Sequence, residues 1–177
     1  MMTENIEITT LGNGVRVVTE TVPHVQSVSL GLWVGVGSRD EDKPLRGITH
    51  FIEHMLFKGT RRRDARQIAD EIESRGGSLN AFTDKEYTCY YAKALDEHAP
   101  VVMDVLTDML RNSLLDSEEL SREQNVVLEE IKRYQDQPDD LVHDLFGEPG
   151  SGVVHGQHYG ADLELGVEVR LYQRNVA

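Results

Sequence analysis

Apolar residues alternate with polar ones through the first 36 positions. Ile6 and Ile8 flank polar neighbours, and Asn13-Gly14 follows, the dipeptide that favours a two-residue hairpin turn. Val15 to Glu20 forms the expected return strand. Val28, Leu30, Leu32, Val34 and Val36 then alternate with Ser29, Gly31, Trp33 and Gly35, which predicts a strand with one strongly apolar face. The opening third reads as a β-meander.

Beyond Gly47 the period changes to helical. The segment around His50 reads as a helix, and Ala65, Ile68, Ala69 and Ile72 mark a second one that stops at Gly76-Gly77. The stretch from Ser78 to Ala94 returns to a period of two, with Thr83-Asp84-Lys85-Glu86 near a hairpin turn. A helix capped near Asp96 carries Val101, Val102, Val105, Leu106, Met109 and Leu110 as its buried stripe, and Pro100 is close enough to its start to be tolerated. A longer helix starts at Asp116 or Ser117 and runs to about Gln137, because Pro138 disfavours helix at the residue before it. The stretch "DDLVHDLF" predicts one more short helix. The order β-β-β-α-α-β-β-α-α argues for an α+β fold, a mainly antiparallel sheet with helices packed on it. Residues 1–146 form that domain; residues 147–177 are an atypical glycine-rich tail without sustained periodicity.

The chain has 177 residues, enough for one domain with its own core. Its net charge of −13 excludes nucleic acid and an anionic membrane surface as expected partners and leaves basic peptides as ligands the field would favour. Cys89 is the lone cysteine, so neither a disulfide framework nor a thiolate metal cluster is expected. The opening "MMTENIEITT" has no basic or apolar region of the signal-peptide kind, and the longest nearly apolar run, Val28 to Gly37, is about half the length of a membrane span. The expectation is a soluble cytoplasmic domain.

Candidate chemistry centres on His50-Phe51-Ile52-Glu53-His54. On a helix, residues four apart share a face, so His50 and His54 can aim imidazole nitrogens at one ion. Glu53 lies near that face, placed to reach a water rather than the metal. This is the inverted order of the H-E-x-x-H zinc-protease helix. Composition alone produces such a pentapeptide in roughly 3 of 100 chains like this one, so the spacing leaves a metal site and an ordinary solvated helix face both open. Catalytic zinc takes three protein ligands, and the long helix offers Glu123 and Glu130, two turns apart on one face with Val127 between them. Read without other information, Glu123, Glu129 and Glu130 equally suit a wet helix surface. Gly77 to Thr83 reads as an edge strand to which an extended peptide can add, or as a plain hairpin strand. Arg61-Arg62-Arg63 reads as a solvated loop, Tyr87, Tyr90 and Tyr91 as packing residues, and His155 and His158 as a pair without a rigid setting.

Three segments, "GSRDEDKPLRGITHFIEHMLFKGT", "GGSLNAFTDKEYTCYYAKAL" and "REQNVVLEEIKRYQDQPDDLVHDLF", together resemble the pitrilysin/insulinase family of zinc metallopeptidases. The likeness spans about residues 6–146 and is greatest to bacterial relatives of the mitochondrial processing peptidase β-subunit. The resemblance implies a metallopeptidase half-domain of the pitrilysin type. It implies that His50, His54 and Glu130 hold one Zn2+ per chain, with Glu129 the off-by-one alternative, and that Glu123 supports the site. It assigns Glu53 as the general base that activates water, with peptide bonds as the target. Backbone around Asn80, Ala81 and Phe82 is implied to grip a peptide or unfolded polypeptide substrate. Family members carry a second homologous domain, or pair as homo- or hetero-dimers, and close around substrate from both sides. After "VHDLF" the sequence departs from the family pattern. A non-catalytic structural or assembly subunit, or an inactive fragment, is the competing reading; His50, Glu53, His54 and Glu130 together argue for catalysis, because a purely structural role has no need of all four.

Overall fold

A computed structural model describes residues 6–22, 24–135 and 169–173. Strands β1 (Ile6–Thr10) and β2 (Arg16–Thr21) pair antiparallel around the Asn13-Gly14 turn, where Gly14 adopts φ +87° and Asn13 Oδ1 accepts the Val15 N–H. β3 (Ser27–Val34) is followed by helix α1 (Ile48–Leu56) and helix α2 (Ala65–Glu73). β4 (Ser78–Thr83) and β5 (Thr88–Leu95) form the second hairpin, and α3 (Ala99–Asn112) and α4 (Ser117–Gln135) complete the helical part. A last strand, β6 (Val169–Gln173), pairs parallel with β2 and lies against β3. The fold is α+β, and among the described residues every strand pairing but β2–β6 is antiparallel.

The expected meander is corrected. β3 does not pair with β2; it pairs antiparallel with β5, giving a sheet in the order β3-β5-β4. The register supplies the reason. Val28, Leu30 and Leu32 stand opposite Ala94, Ala92 and Tyr90, and Leu79 and Ala81 of β4 continue those rows. One face of the sheet is thereby apolar from edge to edge, and α2 and α3 cover it with Ile68, Ile72, Val102, Val105, Leu106 and Met109, all nearly inaccessible. Burial of such side chains contributes about 1.5–3 kcal/mol each. Small Ala92 and Ala94 in the central strand let the helices approach closely.

The helix expected to begin near Asp96 begins later. Asp96–His98 forms a single 3-10 turn and α3 proper starts at Ala99, with Pro100 in its first turn, where its missing N–H costs nothing. The "DDLVHDLF" helix and the His155/His158 pair lie outside the described residues. Of the glycine-rich tail only Val169–Gln173 is described, a strand that the sequence pattern did not indicate.

The arginine triplet also needs correction. Arg63 is 8% exposed and is bound by Asp108 Oδ2 at 2.8 Å, Asp104 Oδ2 at 2.5 Å and Glu71 Oε1 at 3.0 Å. Thr60 Oγ1 donates to the same Asp108 oxygen at 2.7 Å, and Asn112 Nδ2 donates to the other at 2.8 Å. Arg62 pairs with Asp104. This network ties the loop after α1 to α3. Burial would raise the Asp108 carboxyl, but Asn112, Thr60 and Arg63 outweigh it and hold the acid below its ordinary range. Asp108→Ala strands a buried guanidinium with fewer counter-charges and is expected to cost about 3 kcal/mol in a urea unfolding curve.

The start of α1 has an unusual cap. Gly47, at φ +89°, has no side chain to offer, and Glu41 serves instead: its carboxylate accepts the Gly47 N–H at 2.6 Å and the Thr49 N–H at 2.8 Å. Desolvation would raise the Glu41 carboxyl, but its bonds to Thr49 and Gly47 outweigh that and hold the acid below its ordinary range. A depressed folded pKa gives stability that is complete above the unfolded value and is lost as pH falls through the folded one. Thermal melts of Glu41→Gln are therefore expected to fall less steeply with acid than wild type below pH about 4.5.

Candidate active site

Helix α1 carries His50, Glu53 and His54, with Thr49, Glu53 and Leu56 turned inward and both histidines part-exposed at the side facing α4. Packing of α1 on α4 brings Glu130 opposite them. His54 Nε2 lies 3.1 Å from His50 Nε2 and 3.4 Å from Glu130 Oε2, and His50 Nε2 lies 3.7 Å from the same oxygen. Glu129, the neighbour, turns away and bonds Lys132 Nζ at 2.7 Å.

The second ring nitrogen of His54 is engaged as well. Nδ1 lies 2.8 Å from Glu123 Oε1. A carboxylate only accepts, so Nδ1 carries the hydrogen and, in the neutral ring, Nε2 presents a lone pair. That lone pair points at another imidazole nitrogen and at a carboxylate oxygen. With the His50 hydrogen on Nδ1 as well, all three atoms present lone pairs, and a cation between them would relieve their repulsion. Tetrahedral zinc with bonds of about 2.0–2.2 Å spaces its ligand atoms roughly 3.3–3.6 Å apart, against 3.1, 3.4 and 3.7 Å here. The donor set, two imidazoles and a carboxylate, suits that ion. Among the described residues this is the one group of three or more such side chains able to converge on a metal.

Around the cluster the charges are arranged in depth. The Glu123 side chain is 5% exposed. Burial would push its carboxyl up, but the Lys58 ammonium at 2.5 Å and the His54 N–H outweigh that and hold it below the usual range. Glu53 is buried and accepts the Thr83 hydroxyl at 2.6 Å. Tyr90, buried beneath, has its phenol pushed up, first by desolvation and then by the Glu53 charge, so it stays neutral.

Thr83 ends β4, which is an edge of its sheet among the described residues. Asn80 and Phe82 face outward, and Ala81 faces the helices. The Ala81 N–H is met by Asn80 Oδ1 at 2.8 Å. Phe82 joins Trp33, Tyr87 and Tyr91 in an aromatic cluster on the outer face, its ring centroid 5.8 Å from that of Trp33. Tyr90 alone of the three tyrosines packs in the core.

The structure thus gathers His50, His54, Glu130, Glu123 and Glu53 at one place and sets Asn80, Ala81 and Phe82 on the neighbouring strand. Three residues escaped sequence reasoning. Lys58 is four positions beyond His54, a helical spacing that could have flagged it. Thr83 is at an alternation position facing the helices. Glu41 left no local signal, because it caps a helix from outside the usual capping positions.

The family model of insulinase (peptidase family M16) matches residues 16–151. The chain belongs to that family. It is 52% identical over 166 residues to an uncharacterized zinc protease of Bacillus subtilis, covering 94% of this chain and 40% of that protein. An uncharacterized zinc protease of Streptomyces coelicolor is 54% identical over 138 residues, covering 78% and 30% of the two chains. Among solved structures, a protease from Helicobacter pylori superposes with a TM-score of 0.74 at 26% identity, over 78% of this chain and 34% of that one. Pitrilysin superposes with a TM-score of 0.65 at 29% identity, over 73% and 14%. The chain therefore spans well under half the length of these relatives.

Proposed function

We propose that this insulinase-family chain is the zinc-binding catalytic domain of an endopeptidase, residues 1–146 forming the domain, with one Zn2+ held by His50, His54 and Glu130. The observation that carries the reading is the convergence of three lone-pair donors at 3.1–3.7 Å beside a buried glutamate. The names of the Bacillus and Streptomyces relatives support it. When bound, zinc supplies Lewis acidity, which makes an attacking water acidic near neutral pH and polarises the scissile carbonyl.

The protein's own groups do the rest. Glu53 takes the proton of the attacking water and returns it to the departing amine. Thr83 holds one Glu53 oxygen by its 2.6 Å hydrogen bond, leaving the other for that proton. Glu123 fixes the His54 ring through Nδ1, so that Nε2 faces the metal. An extended peptide adds to the free edge of β4, with backbone at Asn80, Ala81 and Phe82 as its rail. Because the chain covers 30–40% of its curated relatives, a second homologous domain or a partner chain supplies the opposite wall of the substrate chamber. Peptide or unfolded polypeptide is the substrate. The cytoplasm is the assigned compartment, supported by a lone, buried cysteine; no described helix is long and apolar enough to cross a membrane.

Chelator-washed protein reloaded with zinc is expected to hold about one ion per chain in wild type and in Glu129→Gln, and to lose it in Glu130→Gln. Elemental analysis decides; a folded wild type without stoichiometric zinc overturns the proposal. Glu53→Gln, assayed with a quenched peptide and the partner domain present, is expected to keep its zinc and lose at least ~100-fold in kcat.

A further inference from the structure

Lys58 lies just past the end of α1, where its backbone N–H bonds to the Met55 carbonyl at 3.1 Å. Its ammonium reaches α4, 2.5 Å from Glu123 Oε2. The other Glu123 oxygen accepts from His54 Nδ1 at 2.8 Å, and His54 Nε2 enters the ligand cluster. Both Glu123 oxygens are therefore assigned, one to a cation and one to a ring. A carboxylate with one free oxygen can rotate off an imidazole; with both held, its plane is set, and so is the ring it holds. The same two bonds tie α1, which carries two of the three nitrogen and oxygen donors, to α4, which carries the third. The Glu123 side chain is 5% exposed, so without the ammonium its charge is poorly compensated and the bond to His54 cannot stay in place at low cost.

We propose that Lys58 is a positioning residue of the metal site: its ammonium pins Glu123, Glu123 sets the His54 ring, and zinc affinity depends on a lysine whose ion pair is to Glu123 rather than to a ligand. This rests on the zinc reading above. A purely structural role for the Lys58–Glu123 pair predicts lost stability with unchanged affinity for whatever folds. A positioning role predicts lost affinity transmitted through Glu123.

The experiment is a zinc-affinity cycle on the 177-residue chain, measured by competition with a chromophoric chelator, with melting of the metal-free proteins alongside. Lys58→Met is expected to bind zinc about 10–100-fold more weakly, and Lys58→Arg to recover most of that loss. In a Glu123→Gln background, Lys58→Met is expected to add no further loss, because the group it acts through is already neutral. Where Lys58→Met fails to fold, Lys58→Gln takes its place. Wild-type affinity in the neutral variant, or an equal loss in both backgrounds, overturns the proposal while leaving the zinc site standing. A wild type that takes up no zinc overturns both together.

Discussion

A carboxylate taken out of water is costly unless cations or hydrogen-bond donors replace the water it loses, and Glu123 meets that demand with one partner on each oxygen. Both partners lie on or just beyond α1. The resulting clasp sets how α1 and α4 lie together, and that packing places Glu130 opposite His50 and His54. It also presents His54 through the nitrogen that faces the cluster. The remaining features arrange themselves around this one requirement. Glu41 caps the start of α1, the Thr60–Arg63–Asp108 network holds the loop at its end, and the apolar face of the β3-β5-β4 sheet supports it from below.

Two kinds of buried charge are kept separate by this design. Arg63, Asp108, Asp104 and Glu71 form a closed set in which each charge has an opposite neighbour, and their chemistry ends there. Around the candidate metal site the accounting is left open. Glu130 and both Nε2 atoms converge with three potential ligand atoms within 3.1–3.7 Å of one another, an arrangement that suits a cation. Glu53 is the intermediate case. It is buried and bonded on one oxygen by Thr83, and in the proposed mechanism the second oxygen exchanges the proton. A group that is half satisfied in this way is suited to move protons, where a fully satisfied one is suited to hold a fold together.

The position of β4 sets an open strand edge beside the candidate site. Its hairpin partner β5 occupies one side, and its other side is an edge among the described residues. Thr83, at the end of that edge, bonds the Glu53 carboxylate. In the proposed function, backbone pairing along β4 would lead an extended peptide toward Glu53.

Local patterns determined much of this protein directly. Alternation marked β1 to β5, helical stripes marked the four helices, and the spacing of His50, Glu53 and His54 placed three groups near one helical face, because each of these depends only on neighbours along the chain. The likeness to the family separated Glu130 from Glu129, which spacing alone did not. What lay beyond the sequence was decided by contacts between distant segments. β3 was drawn to β5 rather than β2, since only that pairing completes an apolar sheet face for α2 and α3 to cover. Arg63 looked like part of a wet basic loop until Asp108 and Asp104, more than 40 residues away, enclosed it. Lys58, Thr83 and Glu41 acquired meaning only when folding brought Glu123, Glu53 and the free amides of α1 within hydrogen-bond reach. A periodic pattern reports which face of an element is apolar, whereas the partner of a polar group is fixed by tertiary packing, and the chemistry of this site is made of such partners.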